Sequence, residues 1–289
     1  MSHSDASLNI PTLSLADFTK GDLPHREQFV EDLGKAYEEH GFVAIVNHSL
    51  SDALQSKLYD TVKQFFALDE AAKKQYDIEG LAGQRGYTGK GKEHAKDSQV
   101  GDLKEFYHVG QEVTDGDPIK AQYPDNVWPT EVPEFKDITL EVYQKLEDDG
   151  RHMLRAIALY LGLDEKYFDD KIHNGNSILR PIHYFPLADK DIEPGAVRAG
   201  AHEDINLITL LMGASAAGLE ILSKKGEWIG VTALPGAIVV NVGDMLQRLT
   251  NGKLRSTTHR VVNPPETDFS QPRYSIPFFL HPRSDMDLS

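Results

Sequence analysis

The chain contains no cysteine, which excludes disulfides, thiolate metal ligands, iron–sulfur clusters and cysteine nucleophiles in one step. Positive charge is the second shortage. Lys plus Arg is 30 against 45 for Asp plus Glu, a formal net charge of −15, and such a surface repels phosphate backbones and anionic lipid. Nucleic acid is therefore not an expected partner. Long apolar runs are missing as well. The most apolar stretches, around 154–163 and 207–212, fall far short of the roughly 20 residues that a membrane span needs, and the N-terminal region shows no apolar core of signal-peptide length. The chain reads as a cytoplasmic protein with no membrane partner. Its 289 residues are 40% hydrophobic, enough to fill one large core or two small ones.

Periodicity gives the organisation. Residues 8–13 alternate like a short edge strand, with Pro11 arguing against a central position. A helical pattern opens at Pro24, repeats through Phe29, Val30, Leu33, Ala36 and Tyr37, and stops at Gly41. Residues 42–46 read as a buried strand, and Ser51 caps a helix with Leu54, Leu58, Val62, Phe65 and Phe66 on one face. From Gly80 to Pro133 the pattern breaks into long loops, the kind of segment that carries binding residues. A long helix is expected from about Glu134 to Leu161.

Beyond Ser177 the runs become short and β-rich, at 177–185, 206–212, 219–222, 228–231, 237–242, 256–262 and 273–280. Gly, Pro and Asn punctuate them closely, as in a sandwich or jelly roll. One helix interrupts them, starting at Asp244 with Gln247 in capping-box spacing and ending at Gly252. The expected fold class is mainly β with flanking helices. A single domain over 1–289 is expected, with a helical and loop region over about 8–165 and the β core over about 175–282.

The sharpest local feature is Ala201-His202-Glu203-Asp204, on the leading edge of an apolar run. Two residues apart on a strand face the same way, so His202 and Asp204 can share one ion there, whereas on a helix they would diverge. His259 lies in another β-like run downstream. Two imidazoles and a carboxylate on one side of a metal form the facial set of non-haem Fe(II) oxygenases, which leaves coordination positions open. The chain has 12 histidines, and His-x-Asp alone is more often a surface or hydrogen-bonded pair. Arg273-Tyr274-Ser275 adds a guanidinium fork and a hydroxyl two residues apart on one strand face, a geometric match to a carboxylate.

In this order and spacing, His202-x-Asp204, His259 and Arg273-x-Ser275 resemble the isopenicillin N synthase-like family of Fe(II)- and 2-oxoglutarate-dependent dioxygenases. Gly41-Phe42 to Asn47-His48 and Asn241-Val242-Gly243-Asp244 belong to the same pattern, and the similarity runs from about Ile10 to Pro282. The resemblance implies a double-stranded β-helix (jelly-roll, cupin-like) core, Fe(II) held by His202, Asp204 and His259, and 2-oxoglutarate with its distal carboxylate on Arg273 and Ser275. It also implies O2 and a small-molecule substrate, oxidised by hydroxylation, desaturation or cyclisation with release of succinate and CO2. Family members often carry a tyrosine just before a proline on the strand preceding His-x-Asp. Here Phe185 stands before Pro186, and Tyr184 is adjacent and expected to face the other way.

Arg85, Tyr87, Lys104, Phe106, Arg180 and Tyr184 are candidate substrate contacts, with solvated loop as the competing reading for Arg85 and Tyr87. Glu105-x-x-His108 is a poor metal site, because its apolar neighbours read as a strand or turn. The run 213–218 nearly matches a nucleophile elbow but lacks the last glycine and a following helix, so it reads as a loop. Gly89-x-Gly91, with Lys90, Lys92 and Lys96 nearby, lacks the strand and third glycine of a dinucleotide site. Two other activities fit the same residues. One is an iron oxidase of the isopenicillin N synthase type that needs no 2-oxoglutarate, and the other is a non-catalytic ligand-binding module.

Overall fold

Local chemistry starts the helices where the sequence places its caps. Helix α2 (Leu23–Glu39) begins where the Asp22 side chain accepts from His25 N, with Pro24 in the first turn, and α3 (Asp52–Phe66) begins where Ser51 accepts from Leu54 N. The other helices are α1 (Leu15–Thr19), α4 (Glu70–Lys74), α5 (Phe135–Tyr160), α6 (Asp169–Ile172) and α7 (Asp244–Leu249). The N-cap of α7 is Gly243 rather than Asp244, which becomes the first helical residue. These elements come from a computed structural model that describes residues 7–92, 104–186, 198–212, 218–232, 234–262 and 271–288. Residues 213–217 of the loop expected at 213–218, and Lys96, lie outside the described residues.

The first seven strands are β1 (Ser7–Asn9), β2 (Thr12–Ser14), β3 (Phe42–Val46), β4 (Gly86–Thr88), β5 (Lys104–Gly110), β6 (Ile178–Leu179) and β7 (Ile182–Tyr184). The rest are β8 (Ala199–His202), β9 (Ile208–Met212), β10 (Leu219–Leu222), β11 (Trp228–Thr232), β12 (Ile238–Val242), β13 (His259–Val261) and β14 (Arg273–Leu280). They form two sheets. The smaller runs β1-β11-β10-β13-β8, and the larger runs β2-β3-β12-β9-β14-β6-β5-β4, with β7 pairing with both β14 and β5. This is the jelly-roll core expected from the β-rich half.

Three expectations change. The single strand expected at 8–13 divides at Pro11 into β1 and β2, one in each sheet, because proline cannot donate to a ladder. The run 177–185 divides into β6 and β7. The loops expected from Gly80 to Pro133 contain β4, β5 and a 3-10 turn, Pro118–Gln122. All of β5 beyond Lys104 is buried, so the chain shows no in-out alternation there to read.

The pleat sorts side chains to the two faces of the larger sheet. Ile208, Leu210, Met212, Ile238, Val240, Val242, Ile276, Phe278 and Leu280 join α2, α3 and α5 in one core. The opposite residues, Thr209, Leu211, Asn241, Arg273, Ser275 and Phe279, line a cavity between the sheets. Phe42, Ala44, Leu219, Ile221, Val231 and Val239 form a second apolar cluster.

A buried polar row fixes the register of the strands behind that cavity. Glu105 on β5 is opposite His183 on β7, which is opposite Tyr274 on β14. Glu105 Oε2 accepts from Lys73 Nζ at 2.7 Å and Tyr87 OH at 2.6 Å, its Oε1 lies 2.7 Å from His183 Nδ1, and His183 stacks on Tyr274 at 4.8 Å. Burial alone would raise the Glu105 pKa, but His183, Lys73 and Tyr87 together hold it below the ordinary carboxylate range. Stability from a depressed carboxylate is present above its unfolded pKa and is lost as pH falls through the folded value. Urea unfolding should therefore show Glu105→Ala losing about 3–5 kcal/mol at neutral pH, as for other broken buried ion pairs. The wild-type midpoint should fall more steeply below pH ~4 than that of Glu105→Gln, and parallel acid dependences would contradict this account.

Candidate active site

Strands β8 and β13 pair so that His202 lies directly opposite His259. Their rings are 4.4 Å apart between centroids. Strand β8 ends at His202, and Asp204 sits in the segment leading to β9, so the pair shares a site without sharing a strand. The two Nε2 atoms lie 3.8 and 3.9 Å from Asp204 Oδ1, and the ligand atoms of the three residues all fall within 4.8 Å of one another.

Neighbouring groups set which atoms are available. His202 Nδ1 is 2.7 Å from Gly200 O and His259 Nδ1 is 3.0 Å from Thr257 O. A carbonyl oxygen only accepts, so each Nδ1 carries the proton and each Nε2 keeps its lone pair toward Asp204. Thr209 Oγ1 and Asn241 Nδ2 donate to Asp204 Oδ2 at 2.6 and 2.8 Å, which leaves Oδ1 to face the imidazoles. Burial raises the Asp204 pKa, but His259, His202, Asn241 and Thr209 together hold it below the usual range. Burial and the nearby His259 push the His202 pKa down. All of this favours the deprotonated, metal-binding forms, and two imidazole nitrogens with one carboxylate oxygen match an Fe(II) donor set.

Arg273 and Ser275 are brought into the same cavity from β14. Arg273 is buried, its guanidinium lies 5.1 Å from the Tyr184 ring centroid, and its Nε and Nη1 have no hydrogen-bond partner among the described residues. Lys104, Arg180 and Tyr184 also line this cavity. Tyr184, not Phe185, is the residue turned inward, and Phe185 packs 5.0 Å from His183 on the other side. Phe106 packs with Ile182 and Tyr184 and lines an adjoining cavity.

Arg85 and Tyr87 do not line either cavity. Arg85 lies against Gly110, where a Cβ would meet its guanidinium within 2.0 Å, and bonds Gln111, while Tyr87 joins the Glu105 row. Glu105 and His108 point to opposite faces of β5, which disposes of a shared metal. Thr209 escapes a reading of the sequence alone, although a lone hydroxyl within the apolar run of β9 was a usable signal, and Asn241, part of the family-like pattern, carried no sign there of its contact with Asp204. Arg198 escapes it too, a buried guanidinium close enough to Arg273 for their charges to interact.

Two family descriptions match the chain: "non-haem dioxygenase in morphine synthesis N-terminal" over residues 10–131 and "2OG-Fe(II) oxygenase superfamily" over residues 175–282. A 2-oxoglutarate-Fe(II) type oxidoreductase of Emericella nidulans is 31% identical, covering 95% of this chain and 80% of its own length. Among solved structures, a 2OG-Fe(II) oxygenase family protein from Caulobacter crescentus is 43% identical, with TM-score 0.86 over 97% of this chain and 88% of its own. A full-length Neurospora crassa protein solved in complex with alpha-KG is 30% identical with TM-score 0.86 over the same shares, 97% and 88%. With the jelly-roll core, the His-Asp-His cluster and these similarities in agreement, the chain belongs to the Fe(II)- and 2-oxoglutarate-dependent oxygenases.

Proposed function

We propose that this chain oxidises a C–H bond of a small molecule, with Fe(II) held by His202, Asp204 and His259 and the distal carboxylate of 2-oxoglutarate received by Arg273 and Ser275. The observation that carries the reading is one cavity containing both three convergent ligand atoms and a buried guanidinium with two nitrogens that are unpartnered among the described residues. An unmet buried donor costs about 1–3 kcal/mol. A fork held open at that cost is the complement of a planar carboxylate. The same Neurospora crassa protein has also been solved with alpha-KG and thymine, at 29% identity and TM-score 0.85, which supports a small-molecule substrate.

Fe(II) bound there supplies the O2 activation that couples decarboxylation of 2-oxoglutarate, to succinate and CO2, with substrate oxidation. The remaining work belongs to the chain. Arg273, set over Tyr184, and Ser275 fix the far end of the cosubstrate. Thr209 and Asn241 hold one oxygen of Asp204 so that the other is presented, and the carbonyls of residues 200 and 257 fix both imidazole tautomers. Ile182, Leu211, Leu219 and Val261 line the site with apolar surface and keep water from it. Lys104, Phe106, Arg180 and Tyr184 contact substrate. The β core and the N-terminal helices act as one oxygenase unit over 1–289.

Purified protein given Fe(II) and 2-oxoglutarate should release succinate, and Asp204→Ala should abolish that release. O2 consumption indifferent to 2-oxoglutarate would instead favour the oxidase chemistry. Arg273→Lys should raise the KM for 2-oxoglutarate about 10–100-fold, the equivalent of one lost charge-assisted hydrogen bond, with metal affinity unchanged; an unaltered KM removes Arg273 from the cosubstrate site. Asn241→Ala should weaken metal binding about 10–100-fold, as loss of an outer partner typically does. Mn(II) titration checks this, and wild-type affinity would show that Asp204 needs no such support.

A further inference from the structure

A second buried guanidinium stands beside the one assigned to the cosubstrate. Arg198 immediately precedes β8 and is 6% exposed, and Arg273 opens β14. Arg198 Nη2 donates to Gln271 O at 3.3 Å, two residues ahead of Arg273 in the chain. This one bond therefore ties the start of a strand in the smaller sheet to the segment entering β14 in the larger. Ala199, the neighbour of Arg198, lines the metal cavity together with Tyr184 and Arg273.

Several donor atoms of the two side chains are unmet. Nε of Arg198, and Nε and Nη1 of Arg273, are buried with no hydrogen-bond partner among the described residues, and neither guanidinium forms an ion pair with a described carboxylate. The phenols beside them do not supply the missing charge. Tyr184 lies opposite Arg273 across the pairing of β7 with β14, its ring against that guanidinium, and Tyr59, whose hydroxyl donates to Met212 O at 3.1 Å, is kept neutral by burial. Burial and the charge of Arg273 lower the Arg198 pKa, yet an arginine keeps its proton under such pressure. Two buried like charges with open donors are a costly arrangement until an anion completes them.

Resting on the cosubstrate site proposed above, we infer that Arg198 is a positioning residue of that site: held on the Gln271 carbonyl, its charge turns Arg273 toward the cavity and makes the pocket select a 2-oxo acid with a second carboxylate over a monoacid. Contact with the ligand is not required for this. In a buried site a charge acts across a space that water would screen.

The test is calorimetric titration of Mn(II)-loaded protein with 2-oxoglutarate and with 2-oxopentanoate, which has a methyl group in place of the distal carboxylate. Arg198→Gln should weaken 2-oxoglutarate binding about tenfold, the scale of one charge interaction in a partly dry site. Arg198→Lys keeps the charge and should recover most of that loss. Mn(II) affinity should stay at the wild-type value in both variants, which verifies the fold, and 2-oxopentanoate should bind all three proteins alike, at the strength that its chelating end supports.

Unchanged 2-oxoglutarate affinity in Arg198→Gln overturns the inference. So does a lysine variant that loses as much as the glutamine variant, or a loss shared equally by 2-oxopentanoate, and each of these leaves Arg273 as the partner of the distal carboxylate. A wild-type protein that binds 2-oxoglutarate no more tightly than 2-oxopentanoate overturns the cosubstrate reading and the inference together.

Discussion

The site depends on how one carboxylate is divided between two sheets. Asp204 is buried, one of its oxygens is tied to Thr209 and Asn241 on the larger sheet, and the other faces imidazoles carried by the smaller sheet. A buried carboxylate without such partners would protonate. The same contacts that keep it charged also aim it, so the electrostatic solution and the positioning solution are one arrangement. The pairing of β8 with β13 then brings His202 and His259 face to face.

Much of this was legible because strands impose a period of two. Arg273 and Ser275 read correctly as one face of β14, and Tyr274 between them goes to the opposite side. The limits are equally physical. His202 and Asp204 lie together, yet the chain leaves β8 after His202, so the two do not share a strand face as the alternation argument had them. Burial of nearly all of β5 removed the in-out alternation, so only the apolar neighbours of Glu105 and His108 pointed to a strand or turn there. Arg85 and Tyr87 read as substrate contacts or solvated loop residues, but tertiary packing sends one against Gly110 and the other to Glu105. Thr209 drew no notice, and Asn241 was legible only as part of a family-like run, because its bond to Asp204 joins residues distant along the chain.

The two faces of β5, β7 and β14 divide the labour. Glu105, His183 and Tyr274 form a row on the face toward the helices, and Lys104, Tyr184 and Arg273 occupy the same register on the face toward the cavity. Interactions that stabilise the sheet on one side therefore set the spacing of cationic groups on the other. Because a slip of one residue would exchange the two faces, the buried Glu105 row protects the cavity as well as the fold.

A crystal structure of the protein grown anaerobically with Mn(II) and 2-oxoglutarate tests the central claim most directly. The account predicts one metal ion bound by His202 Nε2, Asp204 Oδ1 and His259 Nε2, with the distal carboxylate of 2-oxoglutarate within hydrogen-bond distance of Arg273 and Ser275. A metal held by other residues, or a cosubstrate carboxylate that leaves the Arg273 fork unpartnered, would contradict it.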